Sequence, residues 1–343
     1  MKYRSTSAIG LCLVAATSFL TPASADGKDI RVVSDIPALA SIASELLQGV
    51  PHEATSLTTR GDDPHHLTLR PSQARAVSRS DVLLWVGPDL SPWMGEVAED
   101  LGGDAIVVKL SDAEVGEGHG DHDGHDDHDD KEGHDDHDGH SDDHAEKDEH
   151  ADHEDHDEHA EKDAHDDHDE HAHHGHHDGD PHHWLNLHKM EGFADRLAAV
   201  LIELAPQSKA VISKNLATVE ANIKAIEDGF AAKLSELPST SVVVLHDSYR
   251  QFTDGFGITT LSTGIGHDEV GISAKDAQQL RGFVAQPDTN CLLVPFATSQ
   301  NTIATLTEGQ DVHVEVLDII GSTDTGYLNM IEKLGSGIAD CLS

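Results

Sequence analysis

Short, dense apolar runs alternate along this chain with longer stretches in which apolar and polar positions mix. The runs read as buried strands and the mixed stretches as helices. "DIRVVSDI" is the first strand and Pro37 to Gln48 a helix. "EATSLTT" is the second strand, and Ser72 opens the helix "SQARAVSRS" directly after Pro71. "DVLLWVG" is a third strand, "PWMGEVAEDL" a helix and "AIVVKL" a fourth strand. Asn186 to Leu237 reads as long helix with a break near Pro206. Alternation then resumes with "SVVVLHD", a helix near Tyr249, "ITTLS", a helix from Ser273, "CLLVPF", a helix from Ser299, "VHVEVLD" and a closing helix from Tyr327. Such alternation builds parallel sheets with helices on both faces. The expected class is α/β: two lobes, each a parallel sheet flanked by helices, joined by a long linking helix.

In open parallel sheets, ligands bind outside the carboxyl ends of the strands. That rule selects among the histidines. His65 follows the second strand, His246 ends "VVVL", Asp318 closes "VHVEVLD", and His182 precedes the linking helix. These four groups can converge between the lobes. His52 and His313 lie at the start of or within strands and read as structural, while His188 and His267 read as surface residues. Trp85 and Trp184 read as packing.

The formal charge of −42 is concentrated in one place. Between Asp112 and Asp180 there are 31 acids against three lysines, so −28 belongs to this stretch and −14 to the rest. An acidic balance excludes nucleic acid as a partner, since phosphate binding needs a basic surface. The same stretch holds 19 of the 28 histidines: His119, His122, His125, His128, His134, His137, His140, His144, His150, His153, His156, His159, His165, His168, His171, His173, His174, His176 and His177. Two blocks repeat with a period of fifteen, "AEKDEHADHEDHDEH" and "AEKDAHDDHDEHAHH". With hardly an apolar residue, the segment lacks what would offset its ordering entropy, so a disordered His/Asp-rich insertion is expected. A solvated spacer has no use for histidine. Imidazoles among carboxylates form weak, multiple sites for first-row metals.

The first residues read as an export signal, with Lys2 and Arg4, an apolar stretch from Ala8 to Leu20 and the small-residue site Ala23-Ser24-Ala25. Cys12 would leave with it. Cys291 and Cys341 would then meet an oxidising compartment, where a pair normally becomes a disulfide; two buried thiols are the alternative. The implied divisions are 1–25 signal peptide, 26–111 N-terminal lobe, 112–179 metal-binding loop, 180–237 with the linking helix, and 238–343 C-terminal lobe.

The tetrapeptide DPHH occurs twice, at Asp63–His66 and Asp180–His183. "DPHHLTLRPSQ", "DPHHWLNL" and "VVVLHDSYRQFTDGFGI" resemble three signatures of the cluster A-I metal-binding proteins that serve ABC transporters, specifically the ZnuA-type periplasmic zinc-binding proteins. The resemblance covers essentially the whole mature chain. It implies one ligand from each signature, His65, His182 and His246, with Asp318 where many members place a carboxylate. His66 and His183 are then neighbours outside the ligand set. The family's paired cysteines match Cys291 and Cys341. Some zinc-type members carry glutamate where this chain has Pro64, so the fourth position falls to Asp318 or a water.

Three imidazoles and one oxygen suit tetrahedral Zn²⁺, whereas Mn²⁺ members use more carboxylate. Asp247, beside His246, is a candidate to orient a ligand imidazole. The resemblance implies a monomeric, exported periplasmic protein that captures Zn²⁺ at one tight site, assisted by weak loop sites, and passes it to a membrane permease. A zinc buffer is the alternative. A zinc hydrolase is weaker, because no HExxH helix or general base stands beside the histidines; the protein is not expected to be an enzyme.

Overall fold

The computed structural model describes residues 29–113, 179–237, 240–263, 272–287, 289 and 291–343. The export signal, Cys12, His267 and all 19 loop histidines lie outside these described residues. The first lobe runs β1 (Ile30–Ser34), α1 (Pro37–Leu46), β2 (His52–Ser56), α2 (Pro71–Val77), β3 (Val82–Trp85), α3 (Trp93–Leu101) and β4 (Ile106–Lys109). Then come α4 (Leu187–Leu204) and α5 (Lys209–Leu234). The second lobe follows with β5 (Ser241–Val244), α6 (Arg250–Thr253), β6 (Thr259–Leu261), α7 (Ala274–Val284), β7 (Cys291–Pro295), α8 (Gln300–Thr307), β8 (His313–Leu317) and α9 (Tyr327–Leu342).

Each lobe carries one four-stranded parallel sheet, in the orders β2-β1-β3-β4 and β6-β5-β7-β8. The same crossover therefore occurs twice, and each lobe has its own switch point, between β1 and β3 and between β5 and β7. The central strands β1, β3, β5 and β7 are buried on both faces, which is why they read as continuous apolar runs, while the edge strands are partly exposed. Val32, Val82 and Leu84 face one core, while Val33, Leu83 and Trp85 face a separate cluster with Val77 and Met94. The second sheet divides in the same way, with Val242, Val244 and Leu293 on one side and Val243, Leu292 and Val294 on the other.

The larger cluster belongs to neither lobe alone. It runs from Ile30 and Leu39 through Phe193, Leu201 and Phe230 to Ile331 and Leu342. The linking helix is two helices rather than one rod. Pro206 starts a single 3-10 turn at Pro206–Ser208, and the chain reverses there. His188, near the start of α4, consequently meets Glu227, near the end of α5, at 3.3 Å. Asn186 caps α4 by accepting from Lys189 N at 3.0 Å.

Cys291 of β7 and Cys341 of α9 form a disulfide, tying the last helix to the centre of the second sheet. At the first switch point, buried Asp35 ends β1 and accepts from Val86 N, Ser91 Oγ and Ile36 N at 2.9, 2.6 and 2.9 Å. Burial nevertheless pushes its carboxyl up to about 6, against the pull of those hydrogen bonds. No helix among the described residues is long and apolar enough to cross a membrane.

Glu45 lies where α1 meets the turn before α9. Gly326 adopts φ +73° there, and a Cβ at that position would stand 3.3 Å from Glu45 Oε1. Glu45 Oε2 is buried without a hydrogen-bond partner, and burial pushes the carboxyl up from its ordinary 4.5 to about 7. The folded state thus holds this proton more tightly than the unfolded chain. Its contribution is favourable in acid and is lost as pH rises from about 4.5 through about 7. Glu45→Gln should therefore stabilise the protein at pH 8 by about 1–3 kcal/mol, with the gain shrinking toward pH 5. Urea denaturation at both pH values checks this; an equal effect at the two would show that Glu45 titrates normally.

Candidate metal centre

The loops at the carboxyl ends of both sheets line one cavity of about 440 Å³. Its wall includes His65 from the β2–α2 loop, His182 from the segment before α4, His246 after β5 and Asp318 after β8.

The two DPHH copies fold alike. Asp63 Oδ1 accepts from His65 N at 2.9 Å, and Asp180 Oδ1 accepts from His182 N at 3.0 Å. This is an aspartate turn. The intervening proline has no N–H to offer and a fixed φ, so the carboxylate takes the amide one residue further on. Each loop is also tied from outside. The Trp93 indole N–H donates to Pro64 O at 2.9 Å, and Gln251 Nε2 of α6 donates to Asp180 O at 3.0 Å. His246 is placed by the sheet itself, because Leu245 N still donates to Leu293 O at 3.1 Å.

These three anchors bring His65, His182 and His246 together, with one ring nitrogen from each lying within 4.8 Å of the others. His65 and His182 are buried at 7% and 2% exposure, and His246 is half-buried. His182 Nε2 stands 3.4 Å from His246 Nε2. The ring centroids are 5.2 Å apart for that pair and 6.0 Å for His65 and His182. Buried Trp184 leans on the His182 ring with centroids 5.1 Å apart, and its indole N–H donates to Ile319 O. It is packing, as its sequence context implied.

Asp180 was missed as a site residue. Its Oδ1 lies 2.7 Å from His182 Nδ1, so that nitrogen carries the proton and Nε2 presents its lone pair to the cluster. Asp247, expected in such an orienting role, instead accepts from Arg250 Nε at 2.8 and 2.9 Å. An arginine three residues on, at the start of α6, captures the carboxylate. The available signal was the aspartate inside the repeated motif, two residues before each selected histidine.

Asp318 lines the cavity but stands outside the three-histidine group. Its Oδ2 pairs with Arg60 Nε at 2.7 Å, and its Oδ1 accepts from Ile320 N and Gly321 N at 3.2 and 2.8 Å. The second histidine of each motif also lies outside the group. His66 is exposed. His183 is half-buried with Lys189 Nζ 3.1 Å from its Nδ1, and burial together with that cation holds it down to about 4. His52 Nδ1 donates to Val50 O at 2.8 Å, and His313 stands 3.7 Å from Glu315. His188 lies between Glu191 and Glu227 on α4 and α5.

The fold has solved counterparts. Over 92% of this chain it matches the periplasmic zinc binding protein TroA from Treponema pallidum, with a TM-score of 0.66, 18% identity and that whole chain covered. A crystal structure of ZnuA matches over the same share with a TM-score of 0.66 at 16% identity, again covering all of that chain. Two lobes whose strand ends line one cavity with clustered imidazoles thus share the two-lobed fold of these proteins. The model of ZnuA, zinc-uptake complex component A, periplasmic, matches residues 32–341, and the chain belongs to this family. The high-affinity zinc uptake system protein ZnuA of Paracoccus denitrificans is 33% identical, with 91% of each chain covered. The protein of the same name from Brucella suis is 30% identical over 92% of this chain and 93% of that one.

Proposed function

We propose that this protein is the zinc-binding component of an ABC uptake system, capturing Zn²⁺ in the periplasm and delivering it to a membrane permease. One observation carries the reading: three imidazole nitrogens from three separate segments lie within 4.8 Å of one another at the strand ends of two lobes. Tetrahedral zinc with Zn–N bonds of about 2.0–2.1 Å puts its ligand nitrogens about 3.4 Å apart. His182 and His246 already stand at 3.4 Å. His65, His182 and His246 are the proposed ligands, with Asp318 or a water in the fourth position. Three neutral nitrogens favour zinc over manganese. A protein carboxylate in the fourth position would displace the water that zinc hydrolysis needs, which favours binding over hydrolysis. The protein acts as a monomer in this reading, its export signal, the loop and the two lobes divided as the sequence implies.

Replacing any one of His65, His182 or His246 by Ala should weaken the tight zinc site by about tenfold or more with the fold intact, since even the loss of a group that only orients a ligand costs about that much. Calorimetric titration checks this. Three single variants that titrate like the parent chain would end the assignment.

Protons compete with zinc for imidazole nitrogen, so affinity should fall below about pH 6.5, the free imidazole range, and more steeply than one proton per metal. Affinity that stays flat from about pH 7.5 to 5.5 excludes a three-imidazole site.

The His-rich segment is proposed to assist capture. Many imidazoles set among carboxylates along the sequence should bind several ions, each more weakly than the cleft. Tethered by sequence directly before His182, they raise the local zinc concentration. Deleting residues 112–178 should leave the tight affinity nearly unchanged, reduce the stoichiometry to about one and slow loading from a zinc–chelator buffer. Equal loading rates and equal stoichiometry reduce the loop to a spacer. Loss of the tight site on deletion would favour a buffer, in which the loop is the principal metal store.

A further inference from the structure

Arg60 reaches across from the first lobe to the second beside the cavity. It sits in the turn after β2, where Gly61 takes φ +88° and Asp62 Oδ2 accepts from Thr59 N and Thr59 Oγ1 at 2.8 Å each. That turn is fixed before the first DPHH motif begins. From it the Arg60 guanidinium stacks over the Phe296 ring, with Cζ 3.6 Å from the centroid, and Nε pairs with Asp318 Oδ2 at 2.7 Å. Phe296 and Asp318 follow β7 and β8 and both line the cavity that contains the three histidines.

Asp318 is consequently a carboxylate with three partners. Two are the amides of Ile320 and Gly321, which belong to its own loop and travel with it. The third is the only one of these supplied by the other lobe. Asp318 stands outside the group of atoms that lie within 4.8 Å of one another, so it must shift to reach a cation held by the histidines. The shift keeps the two local amide bonds and breaks the one to Arg60.

We propose that Arg60 is a positioning residue that competes with the bound cation for Asp318, and so sets how tightly the cleft holds its zinc. This rests on the zinc reading above. The stacking on Phe296 makes the competition effective, because it holds the guanidinium at the carboxylate rather than leaving it to sweep through solvent. Breaking the contact between lobes thereby becomes coupled to filling the fourth coordination position. A grip weakened in this way suits a carrier that must release its cargo to a permease.

The test is a set of four full-length variants: R60Q, R60K, D318N and the double variant R60Q/D318N. Zinc affinity is measured by competition with a chelator, and Co²⁺ absorption serves as the readout of the ligand set. R60Q should bind zinc about threefold to fivefold more tightly than the parent, the scale of a half-exposed ion pair. R60K keeps the charge but loses the planar stack on Phe296, and should fall between the parent and R60Q. In the Asp318→Asn background the Arg60 substitution should have no effect. The Co²⁺ spectrum should differ from the parent in D318N and not between D318N and the double variant. R60Q affinity equal to or weaker than the parent, a gain that persists without Asp318, or a Co²⁺ spectrum unchanged by D318N each overturns the proposal. Thermal melts of all four variants exclude a folding defect as the cause. The zinc reading fails separately, if alanine at His65, His182 or His246 leaves parental binding untouched.

Discussion

Three imidazoles drawn from positions 65, 182 and 246 stay within 4.8 Å of one another only if the segments carrying them cannot drift, and what prevents drift is an apolar core shared by both lobes. Leu39 and Ile42 of α1, Phe193 and Leu201 of α4, Phe230 of α5 and Ile331 of α9 belong to that single cluster. Close-packed interiors transmit small displacements rather than absorbing them. The helices between the lobes therefore act as a common foundation, and the histidine-bearing loops stand on it from opposite sides. The disulfide from β7 to α9 joins the second sheet to the same foundation.

On that foundation the local chemistry is economical. One aspartate turn, used twice, aims two backbone segments whose sequences share only DPHH. The copies then diverge according to their surroundings. Asp180 also reaches the His182 ring, whereas Asp63 is exposed and bonds the amide of its own loop. The second copy is the more deeply enclosed, and there the orientation of the ring is settled by a carboxylate.

Most of the fold was legible in the sequence because central parallel strands buried on both faces leave an apolar run, and each observed strand lies within the stretch that announced it except β2, which starts one residue earlier at His52. The choice of histidines followed from topology, since His65, His246 and Asp318 all end or follow strands. The rest depended on pairings that no local pattern encodes. That Pro206 reverses the chain, rather than bending it, follows from α4 and α5 packing side by side. That Asp180 rather than Asp247 meets an imidazole depends on Arg250, whose nearness in sequence gave Asp247 a competing partner. The Arg60–Asp318 contact joins residues far apart in the chain and in different lobes, so only the assembled structure reveals it.

The adjacent histidines His182 and His183 show how far environment outranks identity. Both imidazoles belong to one tetrapeptide, and their ring nitrogens are chemically the same. His182 has a carboxylate at Nδ1, which leaves Nε2 to face the cluster. His183 has an ammonium at Nδ1 instead, so its lone pair there is already used as an acceptor, and burial holds the ring neutral far below the ordinary range. A ligand nitrogen must be both unprotonated and aimed at the cation. His183 is turned to Lys189, while Nε2 of His182 faces the other two imidazoles. Its carboxylate partner and Trp184 on the ring face hold that geometry, so the second DPHH copy places one imidazole in the cluster and the other beside Lys189.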